Sequence, residues 1–450
     1  MDILQGVLKM LEAYPLCDHC LGRQFALLGH GLDNAQRGEA LKLVLTLNGH
    51  ELALSDEKKG EKILNVLAVN GFFTTAEDIL AGLGKPVSTN KESPKCYLCE
   101  NRFEAIHGLV EESAKSLEDY EYNTFLVGTE LPVDVAERED EFRAEFNVLH
   151  AESMRNEFGR VLGKELAKRV GKSVDFKRPE IVVLVNPFRE KVTLQPNPLF
   201  VSGRYRKLTR GIPQSKWFCS NCHGKGCKKC NWTGKMYAES VQEIVEGPFL
   251  QATSGLKGSF HASGREDIDA RMLGTGRPFV IEITEPKKRF LNLKKLEKEV
   301  NAQGKGKVEV LGLQFADKDV VRKLKKGEST QKEYRLILEF ENRILTKDLR
   351  FLEKSLSNAL VKQQTPLRVM HRRADLTREK YIYEVNVKKM SPQKAEMRIR
   401  CQGGLYVKEL VTGDDGRTVP SVSEILKNKA KPLKLDVLSV IMDDGELMKK

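Results

Sequence analysis

The chain has 450 residues, with 75 Lys and Arg against 63 Asp and Glu, and a formal charge of +12. At roughly 100 to 200 residues per domain, this length predicts two to four domains, each large enough to bury its own core without disulfides. The longest uninterrupted apolar run, residues 181–185, is far too short to cross a bilayer, so we predict no membrane span and no membrane partner.

The charge is unevenly distributed along the chain. Residues 101–160 carry fifteen acidic and six basic side chains, a net of −9, whereas residues 161–240 carry five acidic and seventeen basic ones, a net of +12. Such a basic stretch is typical of proteins that neutralise the phosphates of a nucleic acid. A solvated basic face is the alternative, but these residues run through several elements, which favours a polyanionic ligand.

The first predicted element is a helix over residues 1–13, in which Ile3, Val7 and Leu11 recur at helical spacing. The segment carries an acidic Asp2 and no small-residue cleavage site. We therefore predict a structural helix rather than a targeting signal.

Eight of the nine cysteines form four C-x-x-C pairs, and the ninth, Cys401, is predicted to be a packed side chain. Two such pairs supply the four thiolates of a tetrahedral zinc site, which leaves no position open for water. Disulfides and redox-active C-x-x-C motifs are alternatives, disfavoured by the expected reducing compartment and by the number of pairs. We predict two structural zinc ions, one ligated by Cys17, Cys20, Cys96 and Cys99 and the other by Cys219, Cys222, Cys227 and Cys230.

A basic helix followed by short strands lies in the middle of the chain. Apolar residues recur at helical spacing over residues 151–170, and Gly171 is a stop signal. Strands are predicted at residues 181–185 and 191–195, followed by a basic loop at residues 199–207. This order predicts a compact α+β unit with a positive surface.

Beyond the last cysteine pair, predicted helices and strands alternate and are joined by short turns. This pattern predicts a mixed or antiparallel sheet flanked by helices, and therefore an α+β fold class. Helices are predicted at residues 241–252, 293–300, 347–360 and 404–411, and strands at residues 278–283, 308–314, 334–340, 381–387 and 435–441.

One loop, residues 263–274, concentrates glycine, two arginines and three acids immediately before a predicted strand. Rigid scaffolds often present catalytic groups at such positions. Taken alone, Asp267 and Asp269 could equally be turn or helix-cap residues.

The motifs around this loop resemble those of a known family. Gly264-Arg265-Glu266-Asp267 is similar to the G-R-x-D loop of the pseudouridine synthases, and residues 404–410 are similar to their late motif. One departure is Ala270, because the family loop often reads Asp-Val-Arg. Together with the cysteine pairs, residues 203–217, 276–279 and 365–375 resemble the archaeal-type THUMP-containing tRNA pseudouridine synthases over nearly the whole chain.

The resemblance implies three regions. Residues 1–104 would bind zinc, residues 105–205 would form a THUMP-like RNA-binding domain, and residues 206–450 would form the catalytic domain, with a zinc knuckle at residues 217–236. It also implies a cytoplasmic enzyme that isomerises uridines 54 and 55 in the TΨC arm of tRNA without an organic cofactor. We expect a monomer with no obligate protein partner, although the residues themselves leave the oligomeric state open.

The family's site residues carry over to named positions. The resemblance makes Asp267 the essential nucleophile or base, places Tyr334 against the target base, and sets Lys408 opposite Asp267 beneath a packed Leu410. Tyr334 is also a candidate for the final deprotonation at carbon, and a plain core position is the alternative for a tyrosine on a strand. Whether Asp267 attacks the sugar, attacks the base or removes a sugar proton stays open.

Several cations are predicted to contact RNA. Arg265 is predicted to fill the vacated base stack or to bind a flanking phosphate. For Arg372 and Arg373 a structural turn is an alternative role. The predicted phosphate contacts are Arg204, Arg206, Lys207, Arg210, Arg372 and Arg373.

Two other functions compete with this one. The first is a zinc-stabilised tRNA-binding or assembly factor without catalysis, which would bind tRNA but leave uridines unchanged. The second is a THUMP-bearing methyltransferase or thiolation enzyme, which needs a cofactor-binding glycine loop. Gly274-Thr275-Gly276 is only a lone G-x-G, which disfavours the second.

Overall fold

The computed structural model describes residues 2–85, 87, 94–325 and 330–441, apart from the side chains of Lys325 and Arg372. The chain divides into two compact units, Met1–Asn197 and Pro198–Lys450. Each unit has its own hydrophobic core. None of the described helices is long and apolar enough to cross a membrane.

The first unit combines a helical part with a small sheet. The sheet has the strand order β2-β1-β3-β4, with β1 parallel to β2 and β3, and β4 antiparallel to β3. Its helices are α1 (Ile3–Ala13), α2 (Asp18–Gly22), α3 (Asn34–Ser55), α4 (Glu57–Val69), α5 (Thr74–Gly82), α6 (Ile106–Leu117), α7 (Val133–Glu145) and α8 (Met154–Val170), and its strands are β1 (Thr124–Thr129), β2 (Ser173–Val174), β3 (Ile181–Asn186) and β4 (Lys191–Pro196).

Two predicted helices of this unit are confirmed. In α1, Val7 and Leu11 are fully buried, as the apolar spacing predicted. In α8, the side chain of Ser153 caps the first turn by accepting a hydrogen bond from the backbone N–H of Asn156, so the helix begins three residues later than predicted. It ends at Gly171, whose φ of +64° breaks the helix.

Close backbone contacts fix the position of α2 beside α3. A Cβ on Gly22 would lie 1.8 Å from the carbonyl oxygen of Asn34, and a Cβ on Gly38 would lie 2.1 Å from that of Asp18. Only glycine fits at either position. This packing holds Cys20, on α2, inside the core.

The second unit is built around one large sheet. Its helices are α9 (Val241–Thr253), α10 (Leu293–Gln303), α11 (Lys318–Lys325), α12 (Thr346–Leu356), α13 (Val407–Thr412) and α14 (Val422–Ile425). Its strands are β5 (Leu199–Lys207), β6 (Lys257–Ala262), β7 (Arg271–Thr284), β8 (Val308–Ala316), β9 (Gln331–Phe340), β10 (Ala359–Gln364), β11 (Thr377–Ser391), β12 (Lys394–Gln402), β13 (Thr418–Val419) and β14 (Ala430–Ile441).

The sheet of the second unit has the order β13-β10-β11-β12-β9-β14-β7-β5-β8, with β6 paired to β7. Its pairs are antiparallel except for the parallel pair of β14 with β7. The predicted mixed sheet and α+β class are therefore confirmed. Along β9, Tyr334 and every second residue after it to Phe340 are buried, so alternate side chains point into the core.

Two predicted helices of this unit are only partly correct. The helix predicted at residues 347–360 ends at Leu356, because Ser357 is extended and Asn358 adopts a left-handed φ of +58°. Residues 359–360 instead open β10. The helix predicted at residues 404–411 begins at Val407, because Gly404 has a φ of +93° and forms a turn.

The units do not follow the predicted domain boundaries. Residues 1–104 and 105–205 were predicted as separate regions, but described residues from both share one core within the first unit. The boundary between the units lies at Asn197, because β5 pairs with β7 and β8 of the second sheet.

Candidate active site and metal centres

The carboxylate of Asp267 lies between two cations. Its Oδ2 is 3.2 Å from Nζ of Lys408 and 3.4 Å from Nη1 of Arg368. Each cation also contacts a second carboxylate, Asp269 at 2.8 Å from Lys408 and Glu409 at 2.5 Å from Nε of Arg368. Lys408 therefore lies opposite Asp267, as the motif predicted.

These cations set the charge of Asp267. Burial raises the pKa of its carboxyl group, but the charges of Arg368 and Lys408 outweigh burial and hold the pKa below its ordinary value of 3.8. The side chain is 34% exposed. Asp267 is thus an ionised carboxylate at neutral pH that a ligand can reach.

A buried ion pair holds the loop that carries Asp267. The carboxylate of Glu266 accepts a hydrogen bond from Nε of Arg277 at 2.9 Å and another from the hydroxyl of Tyr205 at 2.9 Å. Both charged side chains are almost completely buried. With Glu266 fixed in the core, its neighbours Arg265 and Asp267 line the cavities above the loop.

Lys207 supports the same loop from inside the core. It is fully buried, and its ammonium group donates to the carbonyl oxygens of Asp267 at 3.1 Å, Ile268 at 3.2 Å and Ile212 at 2.9 Å. The prediction that Lys207 contacts a phosphate is wrong, because its three donors are used and its charge is not exposed.

Three other predicted RNA contacts also have partners within the protein. Arg204 and Arg206 donate to carbonyl oxygens of residues 274–276, at 2.7 Å and 2.6 Å for the shortest bonds. Arg210 pairs with Asp436 at 2.5 Å. All three remain partly exposed, and their contacts with phosphate stay predictions.

A cavity of about 280 Å³ opens over Asp267. Tyr334 lines it and is 9% exposed, and burial raises the pKa of its phenol, so the ring stays neutral. Leu405 and Val407 provide apolar lining. Leu410 packs in the core, as expected of the apolar residue above Lys408, and does not line the cavity, so its part in the site stays a prediction. A neutral aromatic wall beside a carboxylate suits a stacked nucleobase.

Predicted RNA-binding arginines lie at the rim of this cavity. The exposed guanidinium of Arg265 is 5.7 Å from the ring centroid of Trp217. Arg373 also lines the cavity and donates to the hydroxyl of Tyr406 at 3.1 Å. The side chain of Arg372 lies outside the described residues.

Two groups of four cysteines can each hold a metal ion. Within each group the ligand atoms lie within 4.8 Å of one another. Four Zn–S bonds of about 2.3 Å in a tetrahedron require Sγ atoms roughly 3.8 Å apart. The distance is 3.6 Å between Cys17 and Cys99 and 3.8 Å between Cys222 and Cys230. All nine cysteines are free, and Cys401 is buried as predicted.

Sequence reasoning missed Arg368 and Glu409 as parts of the site. Arg368 lies in the segment 365–375 that resembles the family, where the positive charge is denser at residues 371–373. Glu409 directly follows Lys408, and its side chain is buried against Arg368. The sequence shows only an acid next to the motif lysine; the burial that requires a paired cation is seen in the structure.

Comparisons with known proteins agree with these observations. The family model described as "Pus10, C-terminal" matches residues 200–441, and that described as "Pus10 THUMP domain, archaeal" matches residues 109–186. The first model covers the loop that contains Asp267 and nearly all of the large sheet, and the second covers β1 to β3 of the first unit.

Relatives named "tRNA pseudouridine synthase Pus10" match almost the whole chain. The protein of Methanocaldococcus jannaschii is 44% identical and aligns over 98% of this chain and 95% of its own length. The protein of Methanothermobacter marburgensis is 40% identical and aligns over 98% of this chain and 99% of its own length. Among solved structures, a Cbf5-Nop10-Gar1 complex is 14% identical over 44% of this chain and 45% of the matched one, with a TM-score of 0.28, too low to support an argument.

Proposed function

This chain belongs to the Pus10 family of tRNA pseudouridine synthases, which are isomerases, and on that premise we propose that it converts uridines 54 and 55 of the tRNA TΨC arm to pseudouridine. One observation supports the assignment of this activity to the cavity over Asp267. An ionised Asp267 lies in a cavity with a neutral aromatic wall, between two cations that keep it charged.

The reaction breaks the glycosidic C–N bond, turns the detached uracil and rejoins it to the sugar through carbon. Nothing is oxidised or reduced, so no organic redox cofactor is needed. Asp267 acts as the nucleophile or as the base, and Lys408 and Arg368 keep its carboxylate ionised. Buried ion pairs behind the loop hold Asp267 in place before the substrate arrives.

The target base must leave the folded arm before it can react, at a cost of a few kcal/mol. In our proposal Tyr334 stacks on the flipped uracil, and the raised pKa of its phenol makes stacking the main role of that ring. Arg265 lies at the cavity rim, where a planar guanidinium could fill the vacated stack or bind a flanking phosphate. Arg204, Arg206, Arg210, Arg372 and Arg373 remain proposed contacts with the RNA backbone.

We propose that both cysteine groups bind Zn²⁺ in structural roles. Four thiolates at tetrahedral spacing fill the coordination sphere, so neither ion would have an open position for water. A tRNA substrate and thiolate ligands both fit a reducing cytoplasm, which we propose as the compartment. We propose a monomer that needs no protein partner.

Replacing Asp267 by Asn tests the proposed activity. The substitution removes the charge and keeps the shape, so we expect no pseudouridine when an unmodified tRNA transcript is incubated with the variant and mapped by carbodiimide adducts. The control is Asp415→Asn, at an exposed turn with no side-chain partner among the described residues, which should match wild type.

The outcomes separate the competing functions. Full activity of Asp267→Asn would remove Asp267 from the mechanism. Tight tRNA binding by wild type without pseudouridine at any position would instead support a non-catalytic tRNA-binding factor.

A further inference from the structure

A second cavity, of about 290 Å³, adjoins the one that contains Asp267. The two share Gly264, Lys332, Arg373, Gly404 and Tyr406 as lining residues. The described lining of the second cavity includes four cations and no carboxylate: Lys332, Arg373, Arg378 and Lys380.

Two of these cations lie directly against glycine backbone. Nζ of Lys332 is 3.1 Å from the position that a Cβ would take on Gly264, and Nζ of Lys380 is 3.3 Å from the corresponding position on Gly404. Both glycines have a positive φ, +79° and +93°. Because neither glycine has a side chain, the two ammonium groups lie close to the backbone of the loop that contains Asp267 and of the turn before α13.

Neither lysine ammonium has a direct carboxylate partner among the described residues. In the part of the chain that the structure describes, Lys332 and Lys380 form no ion pair, whereas Lys207 on β5 uses its ammonium group fully in hydrogen bonds. Burial lowers the pKa of Lys332 to about 8, and the charge of Arg277 lowers it further, while the carboxylate of Glu266 acts in the opposite direction. Partly buried like charges without a counter-ion are unfavourable, so the cavity favours an anion.

The substrate brings an anion to this place. A uridine that has been flipped out of its stack remains joined to a phosphate on each side, so one phosphate must lie close to the cavity that receives the base. Arg373 and Tyr406 line both cavities and are hydrogen-bonded to each other, so they connect the two spaces. Several donors around a small opening are what a phosphodiester requires.

We propose that this second cavity is a phosphate pocket, in which Lys332 and Lys380 bind the backbone phosphate next to the flipped uridine. The inference rests on the proposed function, because it assumes that a uridine of an RNA enters the cavity over Asp267. It assigns both lysines to substrate positioning, a role that neither the motifs nor the charge distribution indicated.

Lys332→Met and Lys380→Met, alone and together, test the pocket. Each substitution keeps much of the side-chain volume and removes the charge. We expect each to weaken binding of an unmodified tRNA transcript about tenfold. In the double variant, which loses the whole phosphate contact, the slope of log affinity against log salt concentration should become less steep by about 0.7 to 0.9. Because both lysines bind one phosphate, the double variant should lose much less than the product of the two single losses.

Lys388→Met is the matched control. Lys388 lies on the same strand as Lys380, is exposed, and lines neither cavity. It should keep the wild-type affinity and slope, and thermal melting of all variants should show that they are folded.

A TΨC-arm RNA with one neutral methylphosphonate locates the contact. Replacing a phosphate next to the target uridine should weaken binding to wild type but not weaken it further for the double variant. Unchanged salt slopes, or equal methylphosphonate penalties in wild type and double variant, would overturn the phosphate pocket. Pseudouridine formation by wild type is scored on the unmodified RNA, so failure of the proposed activity is seen separately from failure of the pocket.

Discussion

At the scale of single residues, Lys408 and Arg368 both lie beside the carboxylate of Asp267, and Arg368 is the cation that lies outside the late motif. Arg368→Met should raise the pKa of Asp267, because its charge is the first of those that lower it. In the proposed mechanism activity needs the ionised carboxylate of Asp267, so we expect activity to be lost as pH falls through this pKa. In wild type that loss lies below pH 3.8, and in the variant it should begin at higher pH.

The measurement is kcat/KM for pseudouridine formation between about pH 4 and 8. The kcat/KM of wild type should change little toward pH 4, whereas that of Arg368→Met should decline there. Arg368→Lys should restore part of the wild-type pH profile. Arg350→Met, at an exposed position of α12, is the control. An unchanged acid limb in Arg368→Met would show that Arg368 does not set the charge of Asp267.

Tyr334 gives a second prediction at this scale. Its phenol stays neutral because burial raises its pKa, so its ring should matter more than its hydroxyl. Tyr334→Phe should keep most of the affinity for tRNA, whereas Tyr334→Ala should lose about 1 to 3 kcal/mol of base stacking. Equal losses in the two variants, measured as Kd for a TΨC-arm RNA, would contradict stacking as the main role.

Lys207 shows why residue roles were only partly predictable. Dense basic sequence indicated RNA contact, but Val201, Tyr205 and Lys207 share the buried face of β5 while Arg204 and Arg206 lie on the other face. The period of two in a strand contained this information. A loop prediction for residues 199–207 takes no account of this alternation.

At the scale of secondary-structure elements, Asp436 joins strands of the second sheet. Its carboxylate, 5% exposed on β14, pairs with Arg271 on β7 at 2.9 Å, with Arg335 on β9 at 2.8 Å, and with Arg210 at 2.5 Å. Burial opposes ionisation, but hydrogen bonds from Arg271 and Arg335 prevail and lower the pKa of Asp436 to about 2. One carboxylate thus links the parallel pair and the adjacent antiparallel pair.

Asp436→Asn should therefore destabilise the second unit by roughly 2 to 3 kcal/mol at pH 7. The ordinary pKa of 3.8 exceeds the folded value of about 2, so the stabilisation is present above pH 3.8 and is lost as pH falls toward 2. The difference in urea unfolding between variant and wild type should shrink over that range. Asp415→Asn serves as control, and a pH-independent difference would assign the effect to packing rather than charge.

The elements themselves were predictable where their pattern was local. Alternation and helical spacing located α8, α10, β8 and β14, because each buries one face of its own sequence. The partners of β5 were not predictable, since β7 and β8 begin more than sixty residues later and nothing in β5 specifies them. The end of α12 was missed because the left-handed backbone at Asn358 has only a weak sequence signal.

At the scale of the whole molecule, the two units have separate cores and one cysteine group each. We expect two transitions in scanning calorimetry, with Asp436→Asn lowering only the one that belongs to the second unit. A zinc chelator should lower both transition temperatures, because each structural site stabilises its own unit. A single cooperative transition would contradict independent units. If the chelator lowered only one transition temperature, only the cysteine group of that unit would be a structural zinc site.

The position of β14 in the sheet affects when the second unit can complete its folding during synthesis. β14 is the last of the ten strands along the chain, yet it lies between β9 and β7 near the middle of the sheet. Both neighbours leave the ribosome well before the strand that joins them, so during translation the two halves of the sheet present unpaired edges toward each other. A nascent chain paused before residue 430 would hold all the side chains proposed for catalysis and still lack the strand that brings them together. Folding of this unit is therefore completed after translation of β14, and chaperones that cover exposed strand edges would act in that interval.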